Sequence, residues 1–205
     1  RRLFPAKTVE LLESNYIQLK RELRGLLNVI DADHSIDFKI ENESLHTDGE
    51  WKQLRIYENR AYNYRRVDLC RAFKKGCLVF DQIIADNNKK CELSRRNILS
   101  ANPESSIGDP CMDLMIYYSK LSPNTTISPH CGPTFRRLRI HLGISIPEPD
   151  MARLNLWANN QKYTWKEGKA FVFDDSFEHS VDHHGLEDRI VLVVDVVHPN
   201  EYLAA

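Results

Sequence analysis

The chain has 205 residues, 42% of them hydrophobic, enough for one domain with a substantial core. Its 28 basic and 29 acidic residues leave a formal net charge of -1, which excludes partners drawn by charge alone, such as nucleic acid or an anionic membrane surface. No apolar stretch approaches the ~20 residues of a membrane span and no signal peptide is visible, so membrane attachment would come only through a segment not in this chain. The abrupt start at Arg1 reads as a domain of something longer.

In chain order, the first expected element is a helix. Thr8 can cap it, and Leu12, Tyr16, Leu19, Leu23 and Leu26 recur at helical spacing to about Asn28. Residues 31–50 are polar and read as loop. Trp51 to Glu58 reads as a strand, and Val67 to Ala85 as a helix. Residues 87–109 contain "DNNKK" and "ANPESSIGDP" and read as a long loop with at most one helical turn. From Met112 the texture becomes β-rich. Strands are expected over Met112–Leu121, Arg137–Ile146, Ala152–Trp157, Lys162–Trp165, Ala170–Asp174 and Arg189–Val197, with a hairpin turn at Asn159-Asn160. So many short strands in about 85 residues mean a sandwich or barrel, mainly β with flanking helices.

Five cysteines is an odd number. Cys70 and Cys77 are close enough to close a small loop, while Cys91, Cys111 and Cys131 are scattered. Sequons occur at Asn42 and Asn124, and each such triplet also arises by chance. Together these features tilt the reading toward an oxidising, secretory compartment.

The chemistry concentrates in three segments. In "SPHCGPTFRRLRIH" strand alternation puts Arg137, Arg139 and His141 on one face, with Leu138, Ile140, Leu142 and Ile144 on the other. An ordinary surface strand would look the same. "RIVLVVDVV" is apolar on both faces and so reads as buried, which makes Arg189 at its start harder to dismiss. A buried guanidinium needs an anion, either Asp195 on the same face or a ligand carboxylate. His130 and His179, each just off a strand, can hold a metal ion as a pair, although either alone reads as an ordinary packed residue. An acidic residue commonly follows the first such histidine by two positions; here that position is Gly132. No P-loop, H-E-x-x-H, G-x-S-x-G or dinucleotide fingerprint is present.

With "SPHCGPTFRRLRIHLG", "WKEGKAFVFDDSFEHSV" and "DRIVLVVDVVHP", the chain resembles the aspartyl/asparaginyl β-hydroxylase family, in particular the animal enzymes that hydroxylate Asp and Asn in EGF-like domains. The resemblance is strong over about Met112–Pro199 and weakens before it. Bacterial lipid-A hydroxylases of the superfamily tend to carry Asp two residues after the first histidine, so Gly132 sets this chain with the animal enzymes. The resemblance implies one oxygenase domain over 1–205, with a helical part to about residue 50 and a double-stranded β-helix (jelly-roll or cupin-like) over 51–199. It implies Fe(II) held by His130 and His179 alone, and 2-oxoglutarate chelating that iron. Arg189 and Ser119 would bind the distal carboxylate, and Arg139 and His141 the end near the iron. Arg137 would meet the substrate carboxylate, and Tyr57 stands where the family tends to place a tryptophan at the substrate. Cys70 and Cys77 match a small disulfide loop. The implied substrates are EGF-like domain proteins in the endoplasmic reticulum lumen, reached by a membrane-anchored parent protein. The segment between Cys77 and Cys111 departs from the animal enzymes and reads as expanded. Two other readings stand beside this one: a β-helix binding module that kept the pocket without turnover, and a zinc hydrolase using the same histidines.

Overall fold

The structure is a computed structural model, and it describes residues 5–30, 38–40, 45–58, 64–65, 67–101, 114–147 and 154–199. Two antiparallel sheets face each other. The larger contains β1 (Lys39–Ile40), β3 (Trp51–Glu58), β5 (Met115–Leu121), β12 (Arg189–Val197), β7 (Arg137–Ser145) and β10 (Ala170–Phe173) in that spatial order, with β4 (Tyr64–Arg65) paired to β3. The smaller runs β2 (His46–Thr47), β6 (Thr125–His130), β11 (His179–His183), β8 (Leu154–Ala158) and β9 (Gln161–Tyr163). This is the expected double-stranded β-helix. Helices α1 (Ala6–Ser14), α2 (Tyr16–Ile30), α3 (Val67–Ala72) and α4 (Lys74–Ala101) cover the outer face of the larger sheet.

Burial follows strand parity. β12 is buried along its whole length. Leu192, Val194 and Val196 pack against the helices, while Val191 and Val193 face the smaller sheet. β7 behaves likewise: Leu138, Ile140, Leu142 and Ile144 join the helix-side core. Arg137, Arg139 and His141 therefore point between the sheets, as alternation requires. No helix among the described residues is long and apolar enough to cross a membrane.

Several elements differ from the sequence expectation. Thr8 does not cap; Pro5 precedes α1, and Thr8 is buried inside it. The expected single helix breaks at Asn15, whose side-chain amide donates to the Leu11 carbonyl at 2.8 Å and whose own carbonyl accepts from Leu19 N–H. Short β1 and β2 occupy part of the stretch read as loop. The largest difference is α4, which continues through the segment read as loop to Ala101. Asn87, a weak helix former, is spent on the sheet: its amide donates to the Asp195 carbonyl at 3.0 Å and accepts from Val197 N–H at 3.3 Å. Beyond it, ion pairs one turn apart (Lys90–Asp86 at 2.6 Å, Arg96–Glu92 at 2.7 Å) add support. The remainder of that expected loop, 102–109, lies outside the described residues.

The histidine-bearing strands β6 and β11 were not expected as strands. Pro129 masks β6, because proline suits strand edges. Here it sits beyond Ile127 and Thr126, the last residues that pair with β2, where no neighbour needs its N–H on that side. The Asn159-Asn160 turn joins β8 to β9 as expected, with φ of 47° and 60°, the left-handed pair that a tight hairpin demands.

Candidate active site

His130 ends β6, His179 opens β11, and the two are cross-strand partners beside a bulge between His179 and Val181. Their ring centroids lie 4.1 Å apart, tilted by 51°. Each Nδ1 meets the backbone carbonyl two residues earlier: Ser128 O at 2.8 Å for His130, and Phe177 O at 3.0 Å for His179. A carbonyl can only accept, so both Nδ1 atoms carry the hydrogen and both Nε2 atoms keep a lone pair that could hold a metal. Burial pushes the His179 imidazole down to about 4, so it is neutral at physiological pH and able to ligate.

Among the described residues no third histidine, cysteine or carboxylate joins this pair to make a metal-holding group. The packing around Gly132 shows why no side chain stands there. A Cβ on Gly132 would lie 2.5 Å from Asp175 Oδ2 and 2.9 Å from the Asp175 carbonyl, to which Gly132 N–H donates at 2.6 Å. Asp175 fills the space a ligand side chain at position 132 would need, and its carboxylate is turned onto two arginines.

Those arginines form a closed ring with two carboxylates. Arg137 binds Asp175 through Nε and Nη2 (2.7 Å for the latter) and Asp195 through Nη1 at 3.3 Å. Arg139 binds Asp195 through Nε at 2.9 Å and Nη2 at 3.2 Å, and Asp175 through Nη1 at 3.2 Å. Burial would raise the Asp175 carboxyl, but Arg139 and Arg137 reverse this and hold it below its ordinary value. Burial would likewise lower Arg139, and Asp195 more than offsets it. Arg137 is thus neither a surface residue nor a free cation awaiting a substrate carboxylate.

Arg189 is the opposite case. It is 1% exposed, its guanidinium lies 4.7 Å from the Trp165 ring centroid, and Nη2 donates to Ser119 Oγ at 3.2 Å. Nε has no hydrogen-bond partner. Asp195, the internal partner the sequence offered, is taken by the ring. Burial without a counter-charge pulls the Arg189 guanidinium down to about 9. Ser119 Oγ also accepts from Trp51 Nε1 at 3.1 Å. With both acceptor positions used, its own hydrogen is directed to a further acceptor. His141 Nδ1 accepts from Trp165 Nε1 at 3.2 Å, and burial, then Arg189 and Arg139, keep this imidazole neutral, with its hydrogen on Nε2.

Two adjoining compartments result. The inner one, about 40 Å³, is lined by Trp51, Ser119, His141, Arg189 and both histidines. The outer one, about 80 Å³, is lined by Gln53, Arg55, Gly132 and Arg137, and shares Trp51, Tyr117, His130 and Arg139 with the first. Tyr57 lines neither. The β3–β5 register slips between Arg55 and Tyr57, and this bulge rotates Tyr57 into the helix-side core beside Ile56. Trp51 on the same strand reaches the cavity instead. Sequence reasoning missed it, although its parity with Gln53 and Arg55 was readable. It also missed the pairing of Asp175 and Asp195 with the arginines. Cys70 and Cys77 form a disulfide with Cα atoms 5.6 Å apart, Cys91 is disulfide-bonded, and Cys131 is free and exposed. Asn124 is exposed in the β5–β6 turn, while Asn42 and Cys111 lie outside the described residues.

Residues 13–199 match the family model described as aspartyl/asparaginyl beta-hydroxylase. The chain is 32% identical over 191 residues to the human aspartyl/asparaginyl beta-hydroxylase, covering 93% of this chain and 21% of that protein. It is 42% identical over 82 residues to the ornithine lipid ester-linked acyl 2-hydroxylase of Rhizobium tropici, covering 40% of this chain and 29% of that one. Among solved structures, a Pseudomonas putida prolyl-4-hydroxylase aligns with a TM-score of 0.50 at 13% identity, over 87% of this chain and 86% of that one, a likeness of fold. The chain thus spans about a fifth of the human relative. It folds as a double-stranded β-helix and belongs to the aspartyl/asparaginyl β-hydroxylase family.

Proposed function

We propose that this chain is an Fe(II)- and 2-oxoglutarate-dependent dioxygenase that hydroxylates the β-carbon of Asp or Asn residues in EGF-like domains. The observation that carries this is the conjunction of two histidines with free Nε2 atoms and a buried arginine with no carboxylate partner among the described residues. The pair suits a borderline divalent metal that must keep coordination positions open. The guanidinium suits the distal end of a dicarboxylate. When bound, Fe(II) and 2-oxoglutarate supply the oxidation: O2 and the oxo acid are consumed, CO2 and succinate leave, and a substrate C–H becomes C–OH.

The residues of the chain prepare that reaction. Ser128 and Phe177 carbonyls hold the imidazoles in one tautomer. Arg189, with the Ser119 hydroxyl, receives the distal carboxylate, and Trp51 fixes the direction of the Ser119 hydrogen. His141 and Arg139 border the end of the inner compartment nearest the histidines, and His141 Nε2–H is a donor for the oxo-acid carboxylate. Arg137 forms the wall of the outer compartment, where the substrate side chain enters, and keeps Asp175 in the space beside Gly132. We place the parent protein in the endoplasmic reticulum lumen with EGF-like proteins as partners. Support for that compartment is the Cys70–Cys77 disulfide, the bonded Cys91 and the exposed Asn124 sequon.

Succinate formation in the presence of Fe(II), 2-oxoglutarate and an EGF-like peptide, with a matching gain of one oxygen in the peptide, is the test. Tight binding of metal and oxo acid with no succinate would instead identify a binding module, the reading that the missing carboxylate ligand at Gly132 favours. Metal-dependent peptide or ester hydrolysis would identify a hydrolase.

A further inference from the structure

Away from the active site, the turn between β5 and β6 presents one side chain with no structural duty. Asn124 is exposed there with φ of 58°, and its amide makes no hydrogen bond among the described residues. The turn is held by its neighbours instead. Thr125 Oγ1 donates to the Ser122 carbonyl at 2.7 Å, and the Ser122 hydroxyl accepts from Glu50 N–H at 2.7 Å. A left-handed position favours asparagine or glycine, which accounts for the residue type at 124. It does not account for the hydroxyl two residues on. Asn124-Thr125-Thr126 is an N-glycosylation triplet with no proline at its second position, and Ile127 follows it.

Strand parity decides where the triplet points. Thr125 is fully buried and Ile127 lies in the core between the sheets, so Thr126 faces outward. In register with it on that outer face are Thr47 and Asp182, with Ser128 and Ser180 further along. The described helices pack on the larger sheet, which leaves this face of the smaller sheet open and polar. A bulky, hydrated group at Asn124 would displace no packing. It would also stand clear of the chemistry, since His130 lies six residues on, about 20 Å along β6 at ~3.3 Å per residue. We propose that Asn124 is a glycosylation site, carrying an N-linked oligosaccharide over the outer face of the smaller sheet. The proposal rests on the oxidising, lumenal compartment inferred above from the bonded cysteines. The donor is a lipid-linked oligosaccharide diphosphate. Asn124 Nδ2 bonds to the anomeric carbon, the sugar–diphosphate C–O bond breaks, the lipid diphosphate leaves with the electron pair, and the displaced amide proton goes to solvent.

The test expresses the chain behind a cleavable leader in eukaryotic secretory cells and, in parallel, in a cytosol. Peptide mass mapping after amidase release in heavy-oxygen water reads Asn124 apart from the sequon at Asn42, which lies outside the described residues. Most secreted, folded chains should carry the sugar at Asn124. Thr126→Ser should keep it. Thr126→Val should lose it while leaving Asn124 and its turn in place, and Asn124→Asp, which also tolerates the left-handed position, should lose it too. Succinate formation with Fe(II) and 2-oxoglutarate should be the same for the secreted wild type and Thr126→Val, because the site is remote. A bare Asn124 on secreted, folded chains, or sugar that persists in Thr126→Val, overturns the glycan and leaves the oxygenase reading standing. Turnover confined to the reduced chain from the cytosol overturns the compartment and the glycan together. An occupied Asn124 with no succinate from either preparation removes the oxygenase reading and upholds the glycan.

Discussion

Arg189 and Arg139 lie on neighbouring strands of one sheet, both between the sheets, and differ in what answers their charge. Arg139 is bound through Nε, Nη1 and Nη2 by two carboxylates. Arg189 has one serine hydroxyl, an indole face and an idle Nε. Burial lowers both guanidiniums, but only for Arg139 does a counter-charge reverse the effect. The lesson is about reading buried cations. A matched one is architecture and shapes a wall, whereas an unmatched one is held at a cost in readiness for a ligand.

Breaking the histidine pair should have the largest effect. His179→Ala is expected to abolish turnover and metal binding, read by activity and by equilibrium titration with Mn(II). Retained metal-dependent turnover would break the assignment of the pair.

Next in size is the matched side. Asp195→Ala strips one of two carboxylate partners from Arg139 and one contact from Arg137, all buried. It should cost about 3–5 kcal/mol of stability. The melting temperature should then fall by roughly 10 °C. A change within error would mean that the ring contributes little to the fold.

The unmatched side should respond in the opposite sense. Arg189→Met should leave the melting temperature of the ligand-free protein unchanged or raised, while weakening 2-oxoglutarate about 100-fold, the loss of one charge-assisted anchor. Unchanged affinity together with a large loss of stability would show that Arg189 is structural after all.

A pH series sharpens the contrast. The folded Arg189 guanidinium is depressed to about 9, well below its ordinary value. Between those values the unfolded chain binds the extra proton, so the Arg189 contribution to stability rises with pH through that window. At neutral pH its penalty is fully present. The wild type minus Arg189→Met stability difference should therefore move in favour of the wild type as pH climbs above about 9, and saturating 2-oxoglutarate should flatten the trend. A flat difference without ligand would contradict an uncompensated charge. The smallest effect belongs to Tyr57, which the bulge in β3 turns into the helix-side core. Tyr57→Phe should change cosubstrate and peptide kinetics by less than about twofold, with at most ~1 kcal/mol lost in stability.

Much of this was legible in the chain itself, in uneven measure. Alternation along "RLRIHLGI" is enough to place Arg137, Arg139 and His141 on one face, because side-chain direction in a strand depends only on parity. Tyr57 came from the family resemblance, and the bulge in β3, which no local signal marked, turns it into the helix-side core. The segment after Ala85 looked like loop because Asn87, Asn88, Lys89 and Lys90 are poor or polar helix material. Their helix is sustained by Asn87 bonding to a strand more than a hundred residues away.

The sequence by itself determined the residue types, the two-sided burial of β12 and the presence of a histidine pair and of an arginine at the start of a buried strand. Those follow from period, composition and motif, which are local properties. Only the tertiary structure decided which acid meets which arginine. Asp195 could have answered Arg189 on its own strand, and instead answers Arg139 across the sheet at 2.9 Å. Only the tertiary structure shows that position 132 carries no side chain because Asp175 needs the space. Pairings of this kind are set by the register between strands and by the contest of several anions for several cations in one dry volume, and neither is written in the order of residues along one strand.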